Sequence, residues 1–153
     1  MSSITYQCGC GHTSYSANSQ PLFRMICHCT ICQRFNKAEC ADILVYGAAS
    51  VQNPPPGAVA FETLRPPPNV QRGKCAQCDK PALELLRMPL FPRLAMIPAA
   101  MHQSGAALPE PTAHFFYEKR VRDVEDSLPK HEGYLFSQLA FGRYLLAAKF
   151  AGK

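Results

Sequence analysis

The chain has 153 residues, 47% of them hydrophobic and 18% charged, the profile of a single globular domain large enough to bury a core. Its formal charge is +5, it contains no run of the roughly 20 apolar residues that cross a bilayer, and Met1 to Gln7 lack the basic start and apolar block of a secretory leader. These features argue against a membrane span and a secreted disulfide scaffold, and they make the cytoplasm or nucleus, where cysteines stay as thiols, the expected location.

In chain order, Ile4-Thr5-Tyr6 reads as a strand that leads into Cys8-Gly9-Cys10. A turn at Gly9-Cys10-Gly11 and a return strand through His12 to Ser16 follow. Leu22 to Ile26 is a further strand that delivers the chain to Cys27-His28-Cys29-Thr30-Ile31-Cys32, and between Cys29 and Lys37 there is room for about two helical turns. Asp42 to Tyr46 and Val59 to Leu64 are the next strands. Two proline triplets, Pro54-Pro55-Pro56 and Pro66-Pro67-Pro68, offer no amide donors, so they are expected in extended loops. Cys75-Ala76-Gln77-Cys78 is expected on a second hairpin. The proline-rich stretch from Met88 to Pro111 is expected to hold only short edge strands. Residues 134–150 have the composition of a C-terminal helix, with Leu135, Leu139, Leu146 and Phe150 on one face, a stripe that fits core packing or a homodimer contact better than a membrane surface. The expected organisation is a domain over 1–133 with a helical extension over 134–153.

The cysteines carry the chemistry. Seven of the eight fall into three short clusters and Cys40 stands apart. Spacings of one or two residues let sulfurs converge on one ion, which takes four ligands in a tetrahedron. Cys27, Cys29 and Cys32 are close enough in sequence to share an ion. Cys8, Cys10, Cys75 and Cys78 then close a four-thiolate site that ties two distant hairpins together and contributes folding free energy. An all-sulfur donor set selects zinc, with iron–sulfur as its rival, and a reducing compartment without redox partners favours two Zn²⁺ ions, one structural and one catalytic. The three-thiolate ion either keeps a fourth position for water or substrate or is closed by Cys40, His28 or His12. Cys40 borders an apolar strand, where a cysteine acts as a small hydrophobe. His28, between two ligands, is expected to point away from their metal.

The charge reading changes with the metal. Seven thiolates outweigh two Zn²⁺ ions by three charges, which lowers the formal +5 to +2. The one basic cluster, Glu118-Lys119-Arg120-Val121-Arg122, is flanked by acids and reads as a solvated face, so a nucleic-acid partner is not expected.

The three cysteine clusters, extended by Gly11 and joined by Pro111-Thr112-Ala113-His114 and Asp126-Ser127-Leu128-Pro129, resemble the glutathione-dependent formaldehyde-activating enzyme family, which includes the centromere protein V relatives. The resemblance covers roughly residues 4–130. It implies a mainly β, Mss4-like fold of β-hairpins and twisted antiparallel sheets around zinc. It also implies a structural ion on Cys8, Cys10, Cys75 and Cys78, and a catalytic one on Cys27, Cys29 and Cys32. Three departures stand out: Asp79 follows the last cysteine where the family usually has Gly, Asn36-Lys37 replaces a frequent Thr-Gly pair, and Val121 and Val124 occupy a region where an aromatic residue is common. The activity implied is that of a zinc-dependent carbon–sulfur lyase or synthase acting on adducts of a glutathione-like thiol with a small carbonyl compound. His28 and His114 are the candidates for its acid–base group. Two alternatives stand beside it: a non-catalytic zinc scaffold for chromatin or a protein partner, and a zinc enzyme of specialised metabolism whose 88–111 segment lines a more apolar pocket.

Overall fold

A computed structural model describes residues 3–66, 69–103 and 107–151. In chain order the strands are β1 Ile4–Gln7, β2 Ser14–Ala17, β3 Phe23–Cys27, β4 Ala41–Gly47, β5 Val59–Glu62, β6 Val70–Cys75, β7 Pro81–Leu86, β8 Leu94–Pro98 and β9 Ala113–Phe115. Helix α1 spans Thr30–Asn36 and helix α2 spans Tyr134–Ala151. The fold is mainly β: β1 and β2 form a two-stranded sheet, and the seven others pair in the order β5-β6-β7-β8-β4-β3-β9. The chain divides into two compact units, Met1–Pro21 with Leu44–Leu108, and Leu22–Ile43 with Pro109–Lys153.

In the first unit the β1–β2 hairpin pairs Ile4 with Ala17 and Tyr6 with Tyr15. Because side chains alternate along a strand, these four share one face, and all four are buried. They pack with Leu44, Tyr46, Leu83, Ile97 and Met101. The tyrosines can be buried because their hydroxyls find partners: Tyr6 and Tyr46 meet at 2.6 Å, and Tyr15 donates to the Ala82 carbonyl at 2.5 Å. Strands β5, β6 and β7 form an antiparallel meander with an irregularity at Gly73/Lys74. A Cβ at Gly73 would lie 2.4 Å from Val59 Cγ1 and 2.7 Å from the Leu83 carbonyl oxygen, so this position admits no side chain.

Strand β8 corrects the expectation that the proline-rich stretch holds only edge strands. It has neighbours on both sides, and Leu94, Ala95, Met96 and Ile97 are buried. The prolines bracket the strand instead of entering it: Pro92 precedes it and Pro98 is its last residue, so 94–97 keep their amide donors. Pro54 to Pro56 lie outside any strand, as expected. Pro67 and Pro68 of the second triplet, and Ser104 to Ala106 of the 88–111 stretch, lie outside the described residues.

In the second unit β3 pairs with β9 in parallel, Met25 opposite Ala113 and Cys27 opposite Phe115. The inner face of α2 meets these strands through aromatic edges, with Phe141 5.4 Å from Phe23 and Tyr144 5.8 Å from Phe115 between ring centroids. Ser137, Ala140 and Leu145 are the buried residues of the helix. The stripe of Leu135, Leu139, Leu146 and Phe150 therefore is not core. Each is 58–69% exposed, because a second apolar face, partly built from small residues, packs inward.

Candidate metal centres and a histidine chain

Each cysteine cluster is placed by local backbone geometry. After β1, the Cys8 carbonyl accepts the Gly11 amide at 2.9 Å, and Gly11 takes φ +81°, the left-handed region that glycine enters freely. The Cys75–Cys78 turn closes with Asp79 N–H donating to the Cys75 carbonyl at 2.9 Å. Asp79 has φ +63°, in the left-handed region that favours glycine.

The sulfurs of Cys8, Cys10, Cys75 and Cys78 all lie within 4.8 Å of one another. Cys8 Sγ is 3.2 Å from Cys10 Sγ and 3.5 Å from Cys75 Sγ, and Cys10 Sγ is 3.7 Å from Cys75 Sγ. Sulfurs held about 2.3 Å from one ion sit about 3.8 Å apart at the corners of a tetrahedron, so the spacing fits a metal. It does not fit a disulfide, whose sulfurs are about 2.05 Å apart. The amides of Thr13 and His12 donate to Cys8 Sγ at 3.2 Å and Cys10 Sγ at 3.5 Å, the hydrogen bonds that steady thiolates. Burial pushes the Cys75 thiol up, but the Cys78 amide and the Thr13 side chain hold it down at about 5. Cys10 is pushed up to about 12: the His12 amide lowers it, and the hydrogen bonds from its cysteine neighbours more than offset this. Such thiols cannot all ionise together without a cation, so the donor set fits a divalent ion.

The other group, among the described residues, consists of Cys27, Cys29 and Cys32, again within 4.8 Å of one another. Cys27 ends β3. Cys29 is the N-cap of α1, its sulfur accepting the Cys32 amide in the place usually taken by a Ser or Asp oxygen. Cys32 falls in the first helical turn. Cys27 and Cys32 are buried and Cys29 is half-buried. The contact with Cys29 pushes the Cys27 thiol up strongly, so a cation would be needed for all three sulfurs to ionise together. Cys40, half-buried, and His12, exposed, belong to neither group.

His28 and His114, 86 residues apart in sequence, are brought together: His28 Nε2 lies 2.8 Å from His114 Nδ1, and both residues are buried. The parallel pairing of β3 and β9 does this, and the ladder continues with His28 N–H donating to the Phe115 carbonyl at 2.9 Å. His114 Nε2 in turn lies 2.7 Å from Asp126 Oδ2, and Lys130 Nζ donates to Asp126 Oδ1 at 2.7 Å. Tyr117 stands edge-on to both imidazoles, at 5.2 and 5.6 Å between centroids, with the Arg120 guanidinium 4.4 Å over its ring. Burial, then His114 and Arg120, lowers the His28 pKa. Lys130, then His114, holds the Asp126 carboxyl well below the usual carboxylate range.

Residue-level reading missed Lys130 and Tyr117, and Asp126 entered only as part of a family-like segment. Asp126 and Lys130 stand only four residues apart, but the group that gives them a role, His114, lies on β9, twelve residues before Asp126. Within the basic cluster, Arg120 pairs with Asp123 and Arg122 with Glu39, so those cations face acids.

The fold and these centres define a mainly β protein with two all-cysteine groups, each able to hold a metal ion. The family model of the glutathione-dependent formaldehyde-activating enzyme matches residues 3–119, and the chain belongs to that family. No curated protein matches the chain significantly. Among the described residues no helix is long and apolar enough to cross a membrane.

Proposed function

We propose that the chain is a zinc-dependent carbon–sulfur lyase or synthase that forms and breaks the adduct of a glutathione-like thiol with a small carbonyl compound, in the reducing cytoplasm. One juxtaposition carries the reading: the three-sulfur group of Cys27, Cys29 and Cys32 brackets His28, whose ring is hydrogen-bonded to a second buried histidine. Cys27, Cys29 and Cys32 would hold the catalytic ion, and Cys8, Cys10, Cys75 and Cys78 the structural one. Zinc on three thiolates supplies a Lewis-acid position that accepts a thiolate as fourth ligand.

The chain's own part is to position the thiol and move its proton. In the forward direction the substrate sulfur loses a proton and its electron pair forms the carbon–sulfur bond. The carbonyl π pair moves to oxygen, which takes up a proton, so the product is the hydroxyalkyl thioether. His28 and His114 are the groups we assign to accept the first proton and return one to that oxygen. The buried ring of Tyr117 keeps bulk water from the histidine pair.

The test is formation of the glutathione–formaldehyde adduct, followed by proton NMR exchange with the zinc-loaded chain. Acceleration by the parent, and return to the uncatalysed rate in Cys32→Ser, is the expected result. A parent that accelerates no thiol–aldehyde pair would sink the assignment.

A further inference from the structure

The order of hydrogen bonds from Lys130 to His28 fixes which ring nitrogens carry protons. Lys130 Nζ donates to Asp126 Oδ1 at 2.7 Å, and the Leu128 amide donates to the same oxygen at 3.1 Å. Asp126 Oδ2, an acceptor when ionised, faces His114 Nε2 at 2.7 Å, so that nitrogen is the N–H. A neutral imidazole has one donor and one acceptor nitrogen, which leaves His114 Nδ1 as an acceptor. His28 Nε2, 2.8 Å away, must then be the donor, and His28 Nδ1 keeps its lone pair. Each group's role follows from that of the one before it. The backbone holds the arrangement in place: the His114 amide donates to the Pro129 carbonyl and the His131 amide to the His114 carbonyl, both at 2.9 Å.

We propose that Asp126 is a positioning residue that acts through His114, fixing both histidines in the Nε2–H tautomer so that His28 offers Nδ1 as a hydrogen-bond acceptor to substrate. This rests on the proposed function only for the identity of what His28 meets. Lys130 is part of the device: with Leu128 it ties up Oδ1, so that an Asn at position 126 would keep its carbonyl toward them and turn its NH₂ toward His114. That NH₂ can only donate. His114 would then move its proton to Nδ1, donate to His28 Nε2, and leave His28 with its proton on Nδ1. One isosteric change thus reverses the polarity of the whole chain, the same logic by which the orienting carboxylate of a catalytic triad sets the tautomer of its histidine.

The experiment is long-range ¹H–¹⁵N correlation NMR of the zinc-loaded full chain with ¹⁵N-labelled histidine, at about pH 8, above the ordinary imidazole value of ~6.5. His28→Gln and His114→Gln spectra assign the two rings. The parent should show both rings protonated at Nε2. D126N should show both protonated at Nδ1, and Asp126→Glu should keep the parental pattern. A parent with His28 protonated at Nδ1, or with His114 doubly protonated, overturns the proposal, and that spectrum decides even if D126N does not fold. A folded D126N with parental tautomers overturns it as well. In the adduct assay the reversed chain should lower the rate about tenfold or more, as for groups that orient metal-site residues. Reversed tautomers with an unchanged rate would leave Asp126 as the positioning residue and remove the histidines from the proposed reaction.

Discussion

His28 is buried, with its Nε2 2.8 Å from Nδ1 of a second buried histidine, His114. Its location beside the metal trio was readable from Cys27-His28-Cys29. The His114–Asp126–Lys130 chain was not, because it depends on a three-residue strand, β9, that carries no strong periodic signal and pairs in parallel with residues 88 positions away. Imidazoles whose pKa is lowered also predict a pH dependence. Burial, then the Arg143 charge, lowers the pKa of His131, and burial is the main cause at His28. A base whose folded pKa lies below its unfolded value of ~6.5 adds stability that is fully present above that value. That stability is lost as pH falls through the folded pKa. The urea midpoint of the parent should therefore fall as pH drops below about 6.5, and that of His131→Phe, which keeps the ring contacts with Phe115 and Tyr144, should fall less. Parallel pH profiles would contradict this.

Helix α1 shows how an element tolerates an unfavourable residue. It ends at Lys37, with φ 50° and ψ 46°, and the Lys37 amide closes the last turn onto the Arg34 and Gln33 carbonyls. A side chain in this left-handed cap costs about 1–2 kcal/mol, whereas glycine pays instead about 0.4–1 kcal/mol through its freer unfolded state. Lys37→Gly should thus raise the unfolding free energy by about 0.5–1 kcal/mol, measured by chemical denaturation; a loss of stability would show that Lys37 makes a compensating contact. Other elements were legible to different degrees. Hairpin β1–β2 and helix α1 follow from strict alternation and from short ligand spacing. In β8, composition misled: five prolines between Met88 and Pro111 hide four consecutive buried residues that contain none. In α2, periodicity found an apolar stripe but not its direction, since Ser137 and Ala140 on the inner face are too small to advertise burial.

For the molecule as a whole, two cysteine groups able to hold metal ions lie in separate units, the first beside the hydrophobic core that includes Cys8 and Cys75. Cys8 and Cys10 lie far in sequence from Cys75 and Cys78, and within the first unit an ion on these four sulfurs would join the β1–β2 hairpin to the β6–β7 hairpin. The second unit carries its own three-sulfur group with the histidine chain, and the proposed function assigns the structural ion to the first unit and the catalytic one to the second. This four-plus-three division was readable from spacing, since knuckles of one or two residues must converge locally. The state of the fourth position is a tertiary property that no spacing specifies. The most direct test is zinc-edge X-ray absorption on the chain loaded with two ions, before and after excess glutathione. Seven cysteines on two ions give an average of three and a half sulfurs per zinc. This average should rise to four on adding the thiol. Four sulfurs per zinc from the start, with no change on adding it, would mean that a fourth protein sulfur closes the three-cysteine site and leaves no position for substrate.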